Sequence, residues 1–78
     1  MRTTRYFDDI RQRPDRVVIE EAWIERVVSR PEHERAQADG RLRRWGRVPE
    51  AGNRWLRVVV LEDGATVHNA FFDRRFKP

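Results

Sequence analysis

Apolar positions in the first third of the chain recur at helical spacing. Tyr6, Phe7 and Ile10 form a short stripe behind Thr3 and Thr4, either of which can cap a helix from Arg5 to Gln12. Asp8 and Asp9 fall in its first turns, where negative charge suits the helix dipole. Pro14 closes it, because the residue before a proline disfavours helical backbone. A frayed arm is the competing reading of this stretch. Ile19, Trp23 and Val27, with Ile24 and Val28 beside them, make a longer stripe and predict a second helix from Glu20 to Ser29. Glu20, Glu21, Glu25 and Arg26 take its polar side, Pro31 stops it, and Trp23 reads as a core anchor.

Beyond residue 32 the period shortens to two. His33 to Ala38 reads as an edge strand, followed by Arg41–Val48, Arg54–Glu62 and Ala65–Phe72. The breaks carry turn chemistry: Asp39-Gly40 and Asp63-Gly64 suit two-residue hairpin loops, and Pro49 to Asn53 a longer one. The expected fold is α+β, with one or two N-terminal helices packed on a four-stranded antiparallel meander. We expect a single domain over 1–78: helical in 1–30, sheet in 33–72, and a C-terminal tail in 73–78.

These loops imply a register. Val60 should face Val67, Val59 His68, Val58 Asn69 and Leu56 Phe71. In the middle hairpin Leu42 should face Val60, Arg43 Val59, Trp45 Arg57 and Arg47 Trp55. At the edge, Ala36 should face Arg43 and Glu34 Trp45. Alternation then gathers Leu42, Gly46, Leu56, Val58, Val60, Val67 and Phe71 on a core face. The opposite face gathers Glu34, Arg43, Trp45, Arg47, Trp55, Arg57, Val59, His68 and Phe72. Arg44 and Asn69 fall on the apolar side and need partners or an edge. The reverse assignment stays open, because Trp55, Val59, Leu61, Ala70 and Phe72 are not a polar set.

Charge sharpens this picture. The net charge of +4 is uneven: residues 1–40 hold eight arginines against nine acids, and residues 41–78 nine basic residues against four acids. Basic character is therefore concentrated in the sheet, where it attracts phosphate backbones or acidic proteins. A solvated arginine-rich surface is the plain alternative. The absence of cysteine excludes disulfides and thiolate metal sites. No apolar run near ~18 residues and no signal-peptide core is present, so we expect a cytoplasmic protein with no membrane contact. A chain of 78 residues buries only roughly 60–65% of its unfolded surface, which leaves room for a homodimer or another partner to add burial.

Three groups are candidates for chemistry. Arg43, Arg47 and Arg57 interleave with Trp45 and Trp55; guanidinium groups pair with phosphates, and indoles stack on bases. The same pairs also serve as cation–π contacts within a sheet. His68, expected near Arg43, Arg57 and Glu34, suits acid–base cleavage of a phosphodiester, with the arginines stabilising the charged phosphorus centre. A packed strand histidine is the plain reading, and His33 carries less weight. Arg74, Arg75 and Lys77 extend the basic surface, while Phe76 docks the tail and Asp73 pairs with an arginine. Two histidines on separate strands make no metal site, and no cofactor is expected.

From Trp23 onward the chain resembles a group of uncharacterised small bacterial proteins. The resemblance is carried by Asp39-Gly-Arg, Trp45-Gly-Arg, Leu56-Arg-Val-Val, Leu61-Glu-Asp-Gly and above all Thr66-Val-His-Asn-Ala-Phe-Phe-Asp-Arg-Arg-Phe76. Their layout is similar to that of toxin ribonucleases of the RelE and BrnT kind, in which the sheet meets messenger RNA and an acidic antitoxin covers the basic surface. That resemblance supports the fold more than the function; together with the basic half and the Arg/Trp face it leads us to expect an RNA-binding, toxin-like protein, a metal-independent ribonuclease in its catalytic form, with an antitoxin-like partner. The resemblance carries no catalytic residue onto this chain. The alternative is a non-catalytic interaction module, either a homodimer or the partner of an acidic protein.

Overall fold

Thr4 caps the first helix: its hydroxyl accepts the Phe7 amide at 3.1 Å, and α1 runs Arg5–Ile10. Pro14 ends that segment and also begins another, since proline is pre-set for the first position of a helix. The result is a one-turn α2 (Pro14–Val17) that the apolar spacing does not announce. The longer α3 is Glu21–Ser29, with Glu20 as its cap residue. The computed structural model covers all residues, Met1–Pro78.

Four antiparallel strands follow in meander order: β1 (His33–Ala36), β2 (Leu42–Val48), β3 (Arg54–Val60) and β4 (Val67–Phe72). A 3-10 turn at Pro49–Ala51 and positive φ at Gly52 and Asn53 close the middle hairpin. Its register is the expected one: Leu42 faces Val60, Trp45 faces Arg57 and Arg47 faces Trp55.

The outer hairpins depart from expectation by one residue each, for different reasons. At β1–β2 the Gln37 carbonyl accepts the Gly40 amide, and the Gln37 amide donates to Arg41 O. The loop is thus three residues, with Gly40 at φ 91°, and Glu34 faces Arg44 while Ala36 faces Leu42. At β3–β4 the Asp63-Gly64 turn does pair Val60 with Val67. A β-bulge then intervenes at His68, so Val59 faces Asn69, Arg57 faces Phe71 and Leu56 faces Phe72.

The bulge decides which side chains enter the core. Val67 and Ala70, three apart, both join Val48, Leu56, Val58 and Val60 beneath Phe7, Ile10, Ile19, Ile24 and Val27. Phe72, expected on the open face, packs against this cluster, 6.4 Å from the Trp23 ring. Phe71, expected in the core, lies on the open face opposite Arg57. Gly46 allows α3 to sit close to the sheet: a Cβ there would stand 3.0 Å from Val27 Cγ2.

Polar groups on the helix side are satisfied. Arg44, only 14% exposed in its side chain, reaches Glu34 at 2.6 Å and the carbonyls of Val28 at 2.9 Å and Gly64 at 2.7 Å. Glu34 is thereby drawn away from the open face. Arg16 of α2 reaches round the edge of β4 to Asn69 Oδ1 at 2.7 Å and Ala70 O at 3.3 Å. The N-terminal arm covers the same edge, with Thr3 bridged in parallel to Val67. Unpaired strand edges invite pairing with other chains, and here side chains and the arm protect one of them. No helix is long and apolar enough to cross a membrane.

Candidate nucleic-acid interface

The face of the sheet away from the helices carries His33 and Arg35 of β1, Arg43, Trp45 and Arg47 of β2, Trp55, Arg57 and Val59 of β3, and Asn69 and Phe71 of β4. Its centre is not open. After β4 the chain turns back: Asp73 N donates to Trp55 O, and Asp73 Oδ1 accepts the Arg75 amide. That turn lays Phe76 on Trp45, with ring centroids 4.4 Å apart and planes at 16°. Trp55 meets Phe76 edge-on at 5.0 Å, and His33 meets it at 5.4 Å.

Trp45 is consequently 2% exposed and cannot serve as the base-stacking surface expected of it. Its indole N–H donates to Asp73 Oδ2 at 3.0 Å. Arg47 lies over the Trp55 ring at 4.8 Å, so that pair is engaged internally. The tail therefore makes a second, smaller apolar layer on the face that the sequence presents as free.

Around this plug runs a continuous strip of cations. At one side Arg35, Arg43, Arg57, Arg75 and Lys77 line a depression with Asp73. At the other, Arg41, Arg43, Arg57 and His68 line a second one of about 360 Å³, together with Tyr6, Gln37, Val59 and Asn69. Arg43 and Arg57 belong to both. Arg41 pairs with Asp39 at 3.7 Å and Arg57 with Asp73 at 3.6 Å. Arg35, Arg43, Arg75 and Lys77 have no acid within ion-pair distance; on the helix side Arg11, Arg16, Arg26 and Arg44 have one, and Arg5, Arg13 and Arg30 do not.

Electrostatics at the shared centre are strained. Burial, and then the neighbouring Arg43 charge, hold the Arg57 guanidinium below its ordinary value, against the pull of Asp73. Its Nε is buried without a hydrogen-bond partner. Burial pushes the Asp73 carboxyl up, yet bonds from Trp45 and the Arg75 amide and the Arg57 charge outweigh this and keep it low. An added anion would offset the repulsion between Arg43 and Arg57.

His68 stands at the bulge. Its Nδ1 is 3.0 Å from Thr4 Oγ1, and its ring stacks on Tyr6 at 4.8 Å and 25°. Burial, and then Arg41, hold the imidazole below its usual value, which favours its neutral form. Glu34, its expected neighbour, is across the sheet with Arg44. No three His, Cys, Asp or Glu side chains gather where a metal ion could bind.

Of the residues singled out from sequence, Arg43, Arg57, Arg75 and His68 are brought together along this strip. Arg74 and Trp55 instead line a separate depression with Arg54, Phe72 and Asp73. Arg35, Arg41 and Tyr6 were missed. A three-residue Ala38-Asp39-Gly40 loop, the alternative for that turn, would have moved Arg35 to the correct face. Phe7 and Ile10 already make the i, i+3 stripe of α1, which leaves Tyr6 turned roughly 100° away from it.

Compared with known proteins, the chain matches no family model, no curated protein and no solved structure.

Proposed function

We propose that the cationic strip binds a phosphate backbone and that the protein is an RNA-binding protein acting on single strands. The observation that carries this is the set of four cations without acid partners, Arg35, Arg43, Arg75 and Lys77, placed around a partly buried Arg57 whose Nε lacks an acceptor. Guanidinium groups without carboxylates are matched by phosphate oxygens in geometry and charge. The strip spans both depressions, so it tracks a chain of phosphates rather than one ion. An acidic protein would compete for the same surface, as a toxin-like role requires.

Binding of a labelled single-stranded RNA, followed by fluorescence anisotropy across a salt series, tests this. Affinity should fall with salt, with a logarithmic slope of about −0.7 per phosphate engaged. Arg43→Gln and Arg75→Gln should each weaken binding and flatten that slope by about 0.7. A wild-type protein that binds no RNA at ~50 mM salt refutes the reading, since low salt favours phosphate contacts most.

The depression around His68 favours a catalytic extension. A neutral imidazole can take the proton of a ribose 2′-hydroxyl as its oxygen attacks the adjacent phosphorus. The 5′-oxygen then leaves and takes a proton from water, while Arg43 and Arg57 stabilise the charge on the phosphorus centre. His68→Ala should slow cleavage by about 10²-fold or more. Equal cleavage by both proteins removes His68 from the chemistry, and cleavage by neither leaves a binding protein without turnover.

A further inference from the structure

The depression beside the bulge has chemistry that a phosphate alone does not use. Tyr6 is 49% exposed, and His68 is the only ring that stacks on it. His68 in turn is fixed by Thr4, so the Tyr6 ring is supported from behind. The two amide side chains in the wall have their oxygens already occupied. Gln37 Oε1 accepts from Arg43 Nε at 3.2 Å. Asn69 Oδ1 accepts from Arg16 at 2.7 Å and from the Ala70 amide at 2.9 Å. What both amides have left is their NH2 groups, and that of Gln37 has only a 3.5 Å contact to Asp39. With Arg41, Arg43 and Arg57 added, donors outnumber the acceptors that Tyr6 and His68 bring to the lining.

We propose that this depression seats one base of a bound RNA strand, stacked on Tyr6, and that it selects bases rich in carbonyl oxygens. This rests on the RNA-binding reading above and deepens it. A wall in which donors outnumber acceptors is met by the carbonyl oxygens of uracil or by guanine O6, and it offers the adenine amino group fewer partners. The volume of about 360 Å³ falls at the small end of the ~300–1,000 Å³ of ligand pockets, the scale of one nucleotide rather than several. Stacking on Tyr6 supplies affinity, the amides supply selectivity, and Arg57 holds the adjoining phosphate. Tyr6, rather than Trp45, is then the stacking residue of the protein.

The test compares oligo(U) with oligo(A) at one low salt concentration, for wild type, Tyr6→Leu, Tyr6→Phe and Gln37→Met. Wild type should prefer oligo(U). Tyr6→Leu should lose about tenfold in oligo(U) affinity with an unchanged salt slope, because stacking releases no counterions. Tyr6→Phe should behave as wild type. Gln37→Met should lose preference while binding oligo(A) as before. Circular dichroism of each variant checks that the fold persists; Tyr6 is exposed and Gln37 lies in a hairpin end, so it should. Equal binding of the two oligomers by wild type, or full affinity and preference in Tyr6→Leu, overturns this proposal and leaves phosphate binding standing. Binding of neither oligomer overturns both.

Discussion

Asp73 ties three parts of the molecule together through one carboxylate. It accepts from the Trp45 indole, holds the Arg75 amide and lies 3.6 Å from Arg57. Its carboxyl sits below the ordinary value of 3.8 despite burial, so the folded state binds that proton less readily than the unfolded one. Its contribution is therefore complete above about pH 4 and is lost as pH falls through the depressed folded value. Asp73→Ala should cost about 2–3 kcal/mol near neutral pH, because it orphans a buried indole N–H and a half-buried guanidinium. The gap between variant and wild type should shrink below about pH 4, which urea unfolding at pH 7 and pH 3 would measure. A pairing of Asp73 with an arginine was readable from the sequence. Its bond to Trp45, 28 residues away, was not, because no local period records which distant side chain a tail will meet.

At the scale of elements, the two misjudged hairpins teach the same lesson. Apolar alternation identified the strands, and the five-residue loop from Pro49 to Asn53 set the middle register. Alternation did not see the extra residue at His68, because a bulge leaves it intact on either side and only shifts its phase. The bulge has a specific consequence. Removing His68 would leave Val67, Asn69 and Ala70 in regular alternation, with Val67 and Ala70 still inward. A deletion of His68 should therefore fold, losing about 1–2 kcal/mol with the Thr4 and Tyr6 contacts, and it should lose the base seat. Thermal unfolding and an amide NMR spectrum check this. A chain that fails to fold would mean that the bulge is needed for the sheet itself.

For the whole molecule, the sheet lies between two unlike layers. Helices α1 and α3 cover one side over a mainly aliphatic core, and the tail covers the other with stacked rings. Phe76→Ala should lower unfolding free energy by on the order of 2 kcal/mol, less than a fully buried phenylalanine because this one is half-buried. Tryptophan emission should move to the red as Trp45, now 2% exposed, meets water. An unchanged emission maximum would mean that the rest of the tail covers Trp45 without Phe76. Cations remain around this plug rather than across it, so an RNA strand would pass along its flank.

The α+β class, the meander order, the position of α3 and the basic bias of the sheet were already present in the order of residues. Each depends on neighbours within a few positions: 3.6- and 2-residue periods, a proline stop, an Asp-Gly pair. Folding in three dimensions decided the rest. It chose between two- and three-residue loops, inserted the bulge, brought Tyr6 to His68 and laid Phe76 over Trp45. Those choices minimise exposed apolar area and unpaired polar groups over the whole chain at once, a sum that no short window of sequence contains.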